Sequence, residues 1–247
     1  MTSTANGEYL WSVNQITEPK LNITSETSQA TDALGSTIAT FNRGKKAEFS
    51  ANNSLFDLGL FAAQNGVDKT VASSTVTMTT PAFETVTYDG TTTSVVLAHK
   101  PVAPITAIYL LNGDGTLGTM YTNGTAVSAT KFVYDADAHT ITYPSGLVKG
   151  AEFMVMYDYE ATAGAEVIGD AVNFPKAGKF VMEILGTDTC DPTTLIHAFL
   201  VFPNAKLDAN VDVSFTTDGK HPFKIICQQA YCDSKKVLYK LIVPQEA

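Results

Sequence analysis

Four histidines and three cysteines are the scarcest chemistry in this 247-residue chain, and their neighbours decide what they could do. His99 precedes Lys100-Pro101 and His221 precedes Pro222, so both read as loop or strand-end residues. His139 sits in a turn, and His197 lies in an apolar run and reads as a hydrogen-bonded core histidine. None has a second ligand at helical or Cys-x-x-Cys spacing. Cys190, Cys227 and Cys232 form no closed disulfide framework because their number is odd, which fits a reducing interior. Cys227 and Cys232 read as small buried hydrophobes. Asn112-Gly113-Asp114-Gly115-Thr116 has the look of a calcium loop, but Leu117 and Asn123 stand where an EF-hand needs Gly and Glu, so it reads as a turn. Asp158 and Glu160 point the same way along a strand, and Asp188 and Asp191 flank a turn. Paired carboxylates can do acid–base work, yet no aromatic-lined polar segment marks a cleft beside them, and they read as solvated faces. With no GxSxG, Walker A or dinucleotide fingerprint either, the residues point to no enzyme, no catalytic residue, no cofactor and no metal.

Composition narrows the class. Hydrophobic residues make up 45% of the chain and charged residues 17%, against a usual charged share of about 25%. So little charge suits a protein whose surface is covered by neighbours. The net charge of −9 argues against gripping nucleic acid, whose phosphates it repels. No apolar run approaches the roughly 18 residues of a membrane helix, and Met1–Gly7 lacks a signal pattern. The expectation is a soluble protein without membrane contact.

The elements follow from periodicity. Residues 1–16 read as a mobile arm with one apolar anchor, Tyr9-Leu10-Trp11, free to fray or to dock on a neighbouring subunit. Lys20–Gln29 alternates, and a second strand over Thr37–Ala51 carries Ala39, Phe41, Ala47 and Phe49 in one phase; together they form a long hairpin. Ser54 and Asp57 resemble a capping box for a short apolar helix that stops at Asn65-Gly66. Short strands then recur at Thr93–Leu97, Ala107–Leu111, Lys131–Tyr134, Thr140–Tyr143 and Phe153–Tyr159, with turns between, reading as a small Ig-like β-sandwich over residues 81–162. Longer strands return at Ala165–Val172, Lys179–Gly186, Thr194–Phe202, Val211–Thr216, Pro222–Tyr231 and Lys236–Val243, with a turn at Thr217–Lys220. Leu195–Phe202 is largely apolar in both phases and reads as a central strand covered on both sides. The fold class is all-β: a discontinuous body of residues 1–80 and 163–247 with one short helix, interrupted by the inserted sandwich.

Order and pattern together resemble the major tail protein, or tail tube protein, family of tailed bacteriophages. The stretches that carry the likeness are Ile16–Leu21, Asp32–Thr40, Gly44–Ser50, the helix from Ser54, Ala205-Lys206-Leu207 and Asp218–Phe223. The resemblance implies a β-barrel-forming body that assembles with itself into stacked, hexameric rings. These make a hollow tube in the virion tail, built in the host cytoplasm, joined to other tail proteins and passed by double-stranded DNA without specific binding. Strand parity then picks Glu26, Glu48, Glu166, Asp170 and Glu183 as lumen-facing residues of a polar, net acidic wall. Two other classes remain open on the residues: a capsid decoration or other accessory virion protein, and a carbohydrate- or surface-binding module using Tyr109, Tyr121, Tyr134 or Tyr143.

Overall fold

The structure is a computed structural model that describes residues 1–4, 6–187, 195–215, 219–228 and 235–244. It is all-β with one short helix. In chain order come β1 (Thr2–Ser3), β2 (Ile16–Thr31), β3 (Thr37–Asn53), α1 (Leu58–Asn65), β4 (Thr70–Val71), β5 (Met78–Thr87), β6 (Ser94–Val96), β7 (Ala107–Leu111) and β8 (Leu117–Asn123). They are followed by β9 (Lys131–Asp135), β10 (Thr140–Thr142), β11 (Glu152–Ala161), β12 (Ala165–Glu166), β13 (Ala177–Thr187), β14 (Leu195–Leu207), β15 (His221–Cys227) and β16 (Lys240–Ile242). The chain divides into two compact units, one of Met1–Lys69 with Val167–Ala247 and one of Thr70–Glu166.

The first unit is built on a seven-stranded sheet ordered β1-β13-β14-β15-β3-β2, with β16 also paired to β14. One phase of each long strand is apolar: Phe49 and Ala51 on β3, Phe180 and Met182 on β13, Leu200 and Phe202 on β14, Phe223 and Ile225 on β15, all buried in one cluster. Leu60 of α1 and Trp11 of the N-terminal segment belong to the same cluster. Trp11 is 3% exposed and lies 5.7 Å from both Phe180 and Phe223, stacked on the first and edge-on to the second. The N-terminal segment is therefore not a free arm: its indole fills its own unit's core, and the Met1 ammonium donates to the Trp11 carbonyl at 2.6 Å.

Helix α1 begins later than the capping-box reading placed it. Asp57 is itself the N-cap, its Oδ1 accepting from the Leu60 amide at 2.6 Å. Gly66 ends the helix at φ 72°, and a Cβ there would meet the Phe174 carbonyl oxygen at 2.2 Å, so the position takes only glycine.

The β2–β3 hairpin departs from simple alternation at three points, one of them with large consequences. Ser25 faces Lys45 but Glu26 faces Arg43, so Gly44, at φ 55°, is an extra residue in β3. A bulge of this kind changes which face later residues occupy. Phe49 and Ala47 point into the core, whereas Phe41 and Ala39, nominally in the same phase, fall on the opposite face.

The second unit holds a seven-stranded sheet ordered β5-β11-β7-β8-β9-β10-β6 and a small β12-β4 pair. All its neighbours are antiparallel except β8 and β9. Ile108, Phe132, Ile141, Phe153 and Val155 are fully buried at its centre. Strands β5 and β8 escaped the pattern reading because they carry Thr, Pro and Gly on their outward phase; pairing with β11 and β7 compensates for that weak propensity.

Three further expectations are corrected. Ala165–Val172 is a strand only over Ala165–Glu166; from Val167 the chain turns, with Asp170 accepting from the Val172 and Asn173 amides. The described part of the expected Val211–Thr216 strand, 211–215, is not a strand. His197 is not a core residue: its side chain is 42% exposed, because the second phase of β14 is only half-covered. Cys190, Cys232, Asp188 and Asp191, and the first half of the turn expected at Thr217–Lys220, lie outside the described residues.

Candidate functional site

The first unit's sheet is open, and its two ends are what distinguish it. At one end β2 offers the whole of Ile16–Thr31 with a partner on one side only. At the other, β13 is covered by β1 only at Lys179 and Gly178. Among the described residues the edge from Phe180 onward has no partner on that side. Beyond Ile23 and Ala47 the β2–β3 ribbon also leaves the core. Leu34 is 93% exposed at its tip, with Ile38 and Phe41 exposed behind it. A two-stranded ribbon without cover is marginal in water, and long open edges invite pairing with another chain.

The face of this sheet turned away from the core carries ion pairs among exposed apolar side chains such as Val181 and Leu185. Glu26 meets Lys46 at 3.0 Å, Glu48 meets Lys224 at 2.9 Å, and Glu183 meets His197 Nδ1 at 2.8 Å. At the hairpin base Lys220 reaches Glu18 at 2.8 Å, and this hydrogen bond holds the Glu18 carboxyl below its ordinary range. The hydrogen bond with Glu48 likewise raises Lys224. These pairs are exposed, so each adds little stability; what the lysine pairs do is neutralise charge locally.

Three of the five predicted lumen residues, Glu26, Glu48 and Glu183, thus share one face of one sheet. Glu166 and Asp170 do not join them. Glu166 sits in the β12–β4 pair opposite Thr70, and Asp170 caps a turn whose amides hold its carboxyl below the usual range. Parity also brings Lys20, Lys179 and Lys206 to the same face, so it is a mosaic rather than a net acidic surface. The expectation missed this because it followed carboxylates alone.

Behind the face lies a polar cluster that sequence reading did not find. His221, taken for a strand-end residue, is fully buried. Its Nδ1 accepts from the Asp57 amide at 3.2 Å, which leaves Nε2–H to donate to Gln64 Oε1 at 2.7 Å. Gln64 Nε2 in turn donates to the Pro222 carbonyl at 2.9 Å. Phe56 stacks on the imidazole at 5.1 Å. Burial pushes the His221 pKa down, which keeps the ring neutral. This network ties the helix N-terminus to β15 and is structural. The cue was available: Gln64 lies on the buried side of the helix.

A family model, YomU/Tube protein family, matches residues 3–234. The chain belongs to the YomU/Tube family. This is a phage tail tube protein family, so the chain is a structural component of the virion tail that assembles with itself and with other tail proteins. No curated protein matches the chain. The family is a structural one rather than an enzyme family, and it places the chain in the tube rather than on the capsid surface. The carbohydrate-platform reading also loses two of its four tyrosines, since Tyr121 and Tyr143 are buried in the second unit's core. No described helix is long and apolar enough to cross a membrane.

Proposed function

We propose that copies of this chain join edge to edge through the first unit's sheet into closed, hexameric rings, and that the rings stack into the conduit for DNA ejection. The observation that carries this is the pair of long unpaired edges, β2 and β13, at opposite ends of one sheet. An edge that meets a different edge on the next copy is a heterologous contact, and such contacts give a ring when the rotation closes. Backbone pairing along both edges satisfies groups that would otherwise invite disordered aggregation.

In this arrangement the face carrying Glu26, Glu48 and Glu183 lines the bore. Glu26 and Glu48 are each matched to a lysine, so these acids mask groups that would otherwise hold phosphate through counterion release. The compact second unit is then the sandwich inserted in the tube body, in the Ig-like role on the outside of the assembly.

Electron microscopy and sedimentation of the purified protein test the assembly. Ordered rings or tubes are the expected result; monomers alone at high concentration, with seeding by an initiator assembly, would sink it. The bore is tested separately with Glu26→Lys and Glu48→Lys together. Each change removes a lysine's glutamate partner and adds another lysine, so tubes should form while DNA passage slows, most at low salt. Ejection at the normal rate would remove these residues from the bore.

A further inference from the structure

The second unit carries a surface that its own fold leaves uncovered and that the tube reading does not use. Along β11, Phe153, Val155 and Tyr157 are buried, so Glu152, Met154, Met156, Asp158 and Glu160 share the other face. The register extends this face across four strands. Phe83 of β5 lies directly opposite Met156, and Thr85 opposite Met154. Met154 lies opposite Tyr109 of β7, and Tyr109 opposite Met120 of β8. Phe83 is 70% exposed and Met120 52%. The result is one contiguous stripe of aromatic and methionine side chains.

Charge surrounds the stripe asymmetrically. Glu152 closes one end of the β11 row and Asp158 with Glu160 close the other. Strands β5, β7, β8 and β11 contain no lysine or arginine at all. The unit as a whole has nine acidic residues against three lysines, which is six of the chain's nine net negative charges.

We propose that this face is a docking surface for a cationic, amphipathic segment of another protein, its apolar side on the Phe83–Met156–Tyr109–Met120 stripe and its basic groups against Glu152, Asp158 and Glu160. Exposed apolar patches rimmed by polar groups mark interaction sites. Methionine adapts its shape to a partner, and aromatic side chains anchor such contacts. The acidic rim selects the partner's charge: it attracts basic groups and repels polyanionic surfaces such as nucleic acid or acidic envelope polymers. The inference does not depend on ring formation.

The test uses the full-length protein and a model amphipathic helix of leucine and lysine, followed by calorimetry. Two control peptides replace lysine by glutamate, or leucine by glutamine. The leucine–lysine peptide should bind, more weakly as salt rises, and neither control should. Phe83→Ser with Met156→Thr leaves every charge in place and alters only exposed side chains, so the fold should be unchanged by circular dichroism. That variant should bind at least about tenfold more weakly, about 1.4 kcal/mol. Equal binding by the variant or by the leucine-free peptide would show mere charge attraction and overturn the proposal. So would binding to neutral lipid vesicles in place of the peptide, or loss of self-association in the variant with peptide binding intact, which would assign the face to a second copy.

Discussion

Replacing Trp11 by alanine tests whether the N-terminal segment belongs to its own subunit or waits for a neighbour. The indole is 3% exposed and touches two core rings at 5.7 Å. An aromatic side chain buries about 150–250 Å², which at about 25 cal/mol per Å² corresponds to roughly 4–6 kcal/mol of transfer free energy. Alanine retains a little of that area, and relaxation around the void recovers more, so a loss of about 3–5 kcal/mol is expected. In a unit of about 150 residues, each kcal/mol lowers Tm by roughly 2–4 °C, which places the fall at roughly 6–20 °C. Trp11 is the chain's only tryptophan, so its fluorescence follows the first unit's unfolding in the parent protein. The variant is followed by far-UV circular dichroism in urea, at a concentration low enough to hold both proteins monomeric. A loss below about 1 kcal/mol, smaller than any buried large-to-small aromatic change, would refute the intrasubunit packing and return the segment to the role of an intersubunit arm.

Asp57→Ala removes the cap on the Leu60 amide and should cost about 1 kcal/mol in urea unfolding. His221 makes the first unit acid-sensitive with a definite sign. Its folded pKa is lowered, so below the unfolded value of about 6.5 the unfolded chain takes up the proton first, and stability falls from there down to the folded pKa. Tm measured against pH should therefore drop on that acid limb by an amount that His221→Phe abolishes; an unchanged slope would remove His221 as the cause. Deleting Gly44 removes this bulge from β3 and moves Ala39, Phe41 and Arg43 to the opposite face. The subunit should still fold, while rings or tubes in micrographs should be lost.

The long strands and the helix were legible because their cores obey a simple period. Phe49 and Ala51, Phe180 and Met182, and Phe223 and Ile225 each stand two residues apart in one phase of a strand, and each pair is buried. Parity alone therefore placed Glu26, Glu48 and Glu183 together on the outer face. It failed where the backbone inserts a residue or leaves the sheet. Gly44 looks in sequence like any strand glycine, yet its positive φ changes the faces beyond it. The Glu166–Asp170 segment keeps an alternating pattern, but Asp170 spends its carboxylate on the amides of Val172 and Asn173, which bends the chain into a turn. Local hydrogen bonding of this kind competes directly with strand formation.

The two histidines show why polar burial is harder to read than apolar burial. His197 sits among apolar neighbours and is half-exposed, whereas His221 sits beside Pro222 at a strand start and is fully buried. Neighbours along the chain report the strand's average environment, not the side on which one residue lies. What decides burial for an imidazole is whether distant groups can satisfy both nitrogens. Gln64 and the Asp57 amide do so for His221 across more than 150 residues of sequence, whereas Glu183 meets a single nitrogen of His197 at the open surface. The same distinction separates the parts of this protein. The core is written in local periodicity, but the proposed assembly edges depend on which strands are left at the ends of the sheet. That is a property of strand order, and it appears only once β15 has come between β14 and β3.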